Sequence, residues 1–350
     1  MEAFLHDLLS NVRDLVMDEM PDGPLAGMLG ADAVLGGWAA PRSPGTVLSL
    51  MYRMAQGGRV SLPEGGMGSV TEALATAAAG SGAEIVTGRS VERITVHGDR
   101  ATGVALDDGM LIGADLVLCS SSVGHAMRLA GVEHFDAEAA RRIRHVRARG
   151  AAAKINLVLS QAPGVEGLSD EQTAGRLLLA PSLEYIERAF NPAKYGEMSK
   201  APLIEAVIPT LSDRTLAPEG THVLSAIVQY VPHGLAGGWS DEAKRRLLDL
   251  TLDALTPFMP GLRETMVHAD ILSPVDIEAM TGAPGGHWHH GELTVDQMLM
   301  LRPANGIGRY ATGLPGLYLC GAGAHPGGDV TGSPGRNAAL QALKDEAAAA

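Results

Sequence analysis

The 350 residues predict an α/β protein with two domains. Three observations predict it. The run ADLVLCSS (114–121) is almost wholly apolar, as parallel strands are when both faces are buried. AAAKINLVLS (151–160), PLIEAVIPT (202–210) and THVLSAIVQYVP (221–232) read as long strands with few helices between them, the pattern of an antiparallel sheet in a separate domain. LYLCGAGAHPGGDVTGSPGRNAALQAL (317–343) reads as a short strand, a glycine-rich loop and a helix, the local build of a turn that cradles a dinucleotide.

Composition sets the limits. A hydrophobic share of 46% against 19% charged describes a folded globular chain. The net charge of −13 argues against a nucleic-acid partner, which needs a basic face. Cys119 and Cys320 are too few for a disulfide framework, and their apolar surroundings predict buried, reduced thiols. The start, MEAFLHDLLSNVRD, carries acidic residues where a signal peptide is basic, and no apolar run approaches the ~20 residues of a transmembrane span. A cytoplasmic protein without a transmembrane segment is expected.

In chain order, apolar positions at three-and-four spacing from Leu5 to Met20 predict one amphipathic helix over 4–20. Gly and Pro break 21–45 into turns and helical pieces, and 46–55 reads as a second helix. A glycine-rich turn from 61 leads into a helix over 69–79 and a short strand at 83–86. Val91, Ile94 and Val96 share a strand, Gly98-Asp99 makes a hairpin turn, 101–106 pairs back, and Asp108-Gly109 turns again. With ADLVLCSS these elements make the second half of a Rossmann-type domain. Residues 136–149, with Arg141, Arg142, Arg144, Arg147 and Arg149, predict a basic helix with a solvated face. A helix is expected at 240–255, and the alanine tail at 347–350 is expected to fray.

The segment PEGGMGSVTEALATAAAGSGAEIVTGRSVERITVHGDRATGVALDDG, then ADLVLCSSS, then GLYLCGAGAHPGGDVTGSPGRNAA, closely resembles the phytoene desaturase-like FAD-dependent oxidoreductases. Within that family it resembles the branch of pyridine nucleotide-disulphide oxidoreductase domain-containing protein 2 and its bacterial relatives, of which HGELTVDQMLMLRP (290–303) is also typical. The resemblance runs from about residue 1 to 343. It implies an incomplete Rossmann-type, glutathione reductase-like FAD domain beside a substrate domain of antiparallel sheet and helices. Residues 1–60 would be a helical part of the substrate domain, 61–135 the second half of the FAD domain, 136–310 the substrate domain, and 311–345 the C-terminal FAD-binding strand, loop and helix. The implied chemistry is hydride transfer from a C–H bond of a mostly apolar small molecule to FAD.

The same resemblance assigns roles. Gly321, Gly323, Pro326, Gly327, Gly328, Asp329 and Val330 form the flavin-facing loop, with Asp329 at the ribityl–phosphate region and Val330 under the pyrimidine edge. Val91 holds the adenine ring. His325, with Pro326, borders the reactive face, and His290 lies on the substrate side.

One fingerprint of that family is absent from the sequence: the strand, G-x-G-x-x-G turn, helix and acidic residue that open a dinucleotide domain. GGMGSV (65–70) lacks the third glycine, and GAGAHP (321–326) has Pro326 in its place. The first flavin contact is therefore expected to lie off this chain, FAD to be weakly retained, and the sheet to carry an unpaired edge prone to self-association. A homo-oligomer or a complementing N-terminal segment would cover it. A non-catalytic truncated protein, half of a split flavoenzyme, and a carrier of apolar small molecules are the rival expectations.

GGHWHHGE (285–292) invites a metal reading. In a strand, however, His287 and His289 would face one way and His290 the other, and zinc draws its ligands from separated elements. The segment is expected to bind no metal. Pro334 excludes TGSPG (331–335) as a nucleophile elbow. Arg302 and Arg309 could meet an acidic substrate, but surface arginines are commoner than ligands, and both are expected on the surface.

Overall fold

The computed structural model describes residues 2–55 and 61–349, so residues 56–60 at the expected domain boundary near 60, and Ala350, lie outside the described residues. The chain divides into two compact units, Met1–Ile85 with Gly150–Asp276, and Val86–Arg149 with Ile277–Ala350. Each unit has its own core.

The first unit is built on a five-stranded sheet in the order Leu177–Leu179, Leu203–Val207, His222–Gln229, Ala152–Leu159, Met266–Leu272, and every neighbouring pair is antiparallel. The two-residue period of the central strands sends Ile155, Leu157 and Leu159 to one face, where they pack with Leu224, Ala226 and Val228. Helix Asp241–Leu255 covers that face through Leu247, Leu252 and Leu255, and it starts where the Ser240 side chain accepts from the Ala243 amide. Burying each such Leu or Ile stabilises the fold by about 1.5–3 kcal/mol. The opposite face carries Lys154, Ile227 and Glu205 side by side across three strands.

Helices Val12–Glu19, Pro24–Val34, Thr46–Ala55 and Leu183–Ala193 form a second cluster around Ile186, Phe190 and Tyr230. Gly27 allows helix Pro24–Val34 to sit against the chain at Ala180, because a Cβ there would fall 2.0 Å from the Ala180 carbonyl oxygen. Gln229, fully buried, accepts from the Gly36 amide at 2.9 Å and donates to the carbonyls of Val34 and Gly37. These bonds tie the sheet to the helical layer.

The second unit holds the hairpin Val91–His97 and Arg100–Leu106, turned by Gly98 and Asp99 at φ 56° and 58°, the mirror-image turn that strand twist favours. Leu111–Gly113 adds a third strand to it. Separately, Val117–Cys119 and Leu317–Leu319 pair in parallel as a two-stranded sheet. Their core includes Ile94, Val123, Ala126, Ile143, Leu314 and Leu319. Helix Ser333–Ala349 completes the unit.

Several expectations are corrected. The single helix over 4–20 is two, Glu2–Leu9 and Val12–Glu19, because the Asn11 side chain caps the second by accepting from the Asp14 amide at 2.9 Å. Residues 83–86 form no strand, and Ile85 and Val86 are exposed. The apolar run ADLVLCSS is not buried on both faces: Leu118 is 40% exposed. The basic helix stops at Arg144, and 147–149 run extended to meet Glu292. The alanine tail continues its helix to Ala349. Leu177–Leu179 and the edge strand Met266–Leu272 carried too little alternation to be read from sequence.

Candidate flavin-facing site

The parallel pair places its C-terminal ends together, so the chain leaves Leu319 into the loop 320–332 beside Ser120. A Cβ on Gly321 would lie 1.8 Å from the Ser120 carbonyl oxygen, so glycine is required there by the approach of two backbones. The peptide bond His325–Pro326 is cis, and Gly327, Asp329 and Val330 all have positive φ (116°, 66° and 57°). Asp329 and Val330 are exposed on the outer side of the bend, ahead of helix Ser333–Ala349, which has Pro334 in its first turn.

The inner side of the bend is filled by the histidine segment. His289, 4% exposed, accepts from the Gly328 amide through Nδ1 at 3.4 Å, and its Nε2 lies 3.9 Å from the Asp329 carboxylate. A Cβ on Gly323 would meet His290 Cβ at 3.4 Å, and one on Gly328 would meet His289 Nδ1 at 3.3 Å. The structure thus brings Gly321, Gly323, Gly327, Gly328, Asp329 and His290 into one neighbourhood. Val91 is on the hairpin, 40% exposed, and Val330 and His325 are exposed at the loop surface.

Arg302, expected on the surface, is only 3% exposed. It donates to the carbonyls of Ala322 (2.9 Å), Gln297 (3.2 Å) and His289, stapling the loop to the histidine segment. Sequence gave no sign of this, since nothing local separates a buried arginine from a solvated one; Arg309 is exposed as expected. Burial, and then the charges of His289 and Arg302, hold His287 at a pKa of about 3. Burial and the Arg302 charge also lower His290 and His325. These three imidazoles are neutral near pH 7.

Glu292 anchors the segment from the other side. It is 1% exposed and accepts from Arg149 Nε at 2.7 Å, Arg149 Nη2 at 3.0 Å and Arg147 Nε at 3.4 Å. Burial pushes its carboxyl up, but the hydrogen bonds and charge of Arg149, with the Arg147 charge, outweigh that and hold it below the usual carboxylate range. Among the described residues no group of three or more His, Cys, Asp or Glu side chains is placed to hold a metal ion. Cys119 and Cys320 are free and half-buried rather than buried, and burial, with Cys119 beside it, pushes Cys320 up to about 11.

Sequence reasoning also missed Lys154 in the first unit. Half-buried on the polar sheet face, its ammonium makes no hydrogen bond or ion pair among the described residues. Burial lowers its pKa against the raising charge of Glu205. Among the described residues no helix is long and apolar enough to cross a membrane.

Pyridine nucleotide-disulfide oxidoreductase domain-containing protein 2 of Mus musculus is 35% identical over 340 residues, covering 92% of this chain and 58% of the mouse protein. The chain therefore spans little more than half the length of that relative. A lycopene-forming phytoene desaturase of a Paracoccus strain is 26% identical, covering 84% of this chain and 57% of the desaturase. Among solved structures, an oxidoreductase from Methanosarcina mazei superposes with a TM-score of 0.61 at 19% identity, covering 96% of this chain and 68% of that one. A triple mutant of putrescine oxidase gives 0.57 at 14%, covering 99% and 69%. These two show a shared mixed α/β fold. The expectation of FAD agrees with the family description: residues 27–339, nearly the whole chain, match the flavin containing amine oxidoreductases, and the chain belongs to that family.

Proposed function

We propose that the chain is the substrate-facing and flavin-facing portion of an FAD-dependent oxidoreductase that removes hydride from a C–H bond of a mostly apolar small molecule. One observation carries the reading. The bend Gly327–Val330 turns its outer side to solvent ahead of helix Ser333–Ala349, while its inner side rests on buried His289. A flat ring would meet backbone on that side, and the helix N-terminus would offer it positive dipole and amide donors.

Bound flavin supplies the two-electron acceptor. The chain's own residues position it. Gly321 and Gly323 let the loop leave the strand, and Pro326, Gly327 and Gly328 would hold the ring. Asp329 would hold the ribityl–phosphate part, Val330 the pyrimidine part, and Val91 the adenine. His325 and His290 border the reacting carbon. Both are neutral, so neither would place a positive charge beside the carbon that becomes electron-deficient as hydride leaves.

The two-stranded parallel sheet with its exposed Leu118 supports the finer reading that the FAD domain is the second half of a Rossmann-type fold. A site completed by a further polypeptide segment follows from it, and this chain alone would hold FAD weakly. Titration with FAD, followed by quenching of flavin fluorescence, tests the function. Weak saturable binding is expected; absence of binding even with a separately expressed N-terminal segment would remove the reading.

A further inference from the structure

We infer that the second unit carries a binding cleft for a small oxyanion of two or more negative charges, a phosphate or a polycarboxylate. This goes beyond the flavin reading and does not depend on it. A surface cleft of about 330 Å³ is lined by Arg141, Arg142, His145 and Arg147 on one side, and by Asp296 and Asn305 on the other. Three guanidinium groups and one carboxylate line it, and Glu138 and Glu292, outside the lining, pair with the same arginines.

The arginines are fixed before any ligand arrives. Arg141 makes a two-point pair with Glu138 through Nε (3.0 Å) and Nη2 (2.7 Å). Arg142 uses Nε on Glu138 and Nη1 on the Asn305 carbonyl (3.0 Å). Arg147 uses Nε on Glu292, and Nη2 on Thr294 and Asp296. Among the described residues Arg141 Nη1, Arg142 Nη2 and Arg147 Nη1 make no hydrogen bond. Each side chain thus spends one edge on being held and keeps an amino group, which lowers the entropy cost of binding. Gly306, at φ 81°, belongs to the same arrangement: a Cβ there would stand 2.5 Å from Arg142 Nη1.

A merely solvated basic face has no need of this. Long cations on open surface are held by few contacts, whereas each of these is held by a carboxylate or a carbonyl and still keeps an amino group that makes no hydrogen bond among the described residues. Phosphate and carboxylate match the planar fork of arginine, and several such contacts together give affinity that one surface pair does not.

The test is calorimetric titration of the whole chain at constant ionic strength, with inorganic phosphate in one arm and citrate in the other. Saturable binding tighter than about 1 mM is expected in at least one arm, and the tighter arm identifies the ligand's chemistry. Arg142→Gln and, separately, Arg141→Gln should each weaken it roughly tenfold or more, with unchanged circular dichroism. Arg245→Gln, the same charge removed from an exposed position on helix Asp241–Leu255, should leave it alone. No saturable binding of either anion by the unaltered chain overturns the proposal. Equal weakening by Arg245→Gln does so too, since it would show general screening.

Discussion

The Arg302 guanidinium donates a 2.9 Å hydrogen bond to the carbonyl of Ala322, within the loop that follows the parallel strand. Its other acceptors are the carbonyls of Gln297 and His289, so a single buried cation fixes three backbone segments. Arg302→Met would leave those carbonyls without their donor and should cost about 3 kcal/mol or more, read from urea unfolding. Arg302→Lys should fall between, keeping the charge but losing the planar fork. In the methionine variant the His290 and His325 resonances should titrate closer to the ordinary histidine value, because part of the cause of their depression is gone.

Acid should weaken the fold through His287. Its pKa is about 3 when folded, while the unfolded chain takes up that proton near ~6.5. Between those values the unfolded state binds more protons, so stability falls as pH drops, by roughly 1.4 kcal/mol per pH unit from this group. Glu292 acts in the same direction further down, its lowered pKa making its contribution disappear as the carboxyl protonates. Urea midpoints at pH 7 and 5 should differ accordingly, and His287→Leu should flatten the slope.

Gln229 has three partners and is fully buried. Gln229→Leu should destabilise the first unit by about 3 kcal/mol, since buried amide and carbonyl groups are stranded together. An unchanged denaturation midpoint would contradict this account of how helix and sheet are joined.

Two glycines of the loop should separate by their variants. Gly321→Ala drives a Cβ into the Ser120 carbonyl, so loss of about 3 kcal/mol or failure to fold is expected. Gly328→Ala meets only the His289 ring and Ala322 Cβ at ordinary or slightly tight distance and should cost less than about 1 kcal/mol.

Lys154→Met removes a half-buried ammonium that lacks a hydrogen-bonding partner among the described residues. Thermal stability should hold or rise by about 1 kcal/mol. A fall in flavin reduction by substrate, with the fold intact, would assign Lys154 to the reaction; unchanged turnover would leave it a packing residue.

The hairpin at Gly98-Asp99, the three long strands and the helix at 240–255 were legible because their signals are local: alternation, turn residues and caps. The break at Asn11 was legible only in part, since an asparagine caps a helix or sits inside one according to whether its side chain finds the amide three residues on. The glycine loop was legible as a loop. Its backing was not, because His289 and Arg302 reach it across 39 and 20 residues of chain.

The sequence by itself determined the chain's periodicities, its turns and its small-residue bend, all set by interactions between near neighbours. Tertiary structure decided which charges went inside. Burial depends on partners distant along the chain, so the same residue type became a buried staple at Arg302 and an exposed side chain at Arg309.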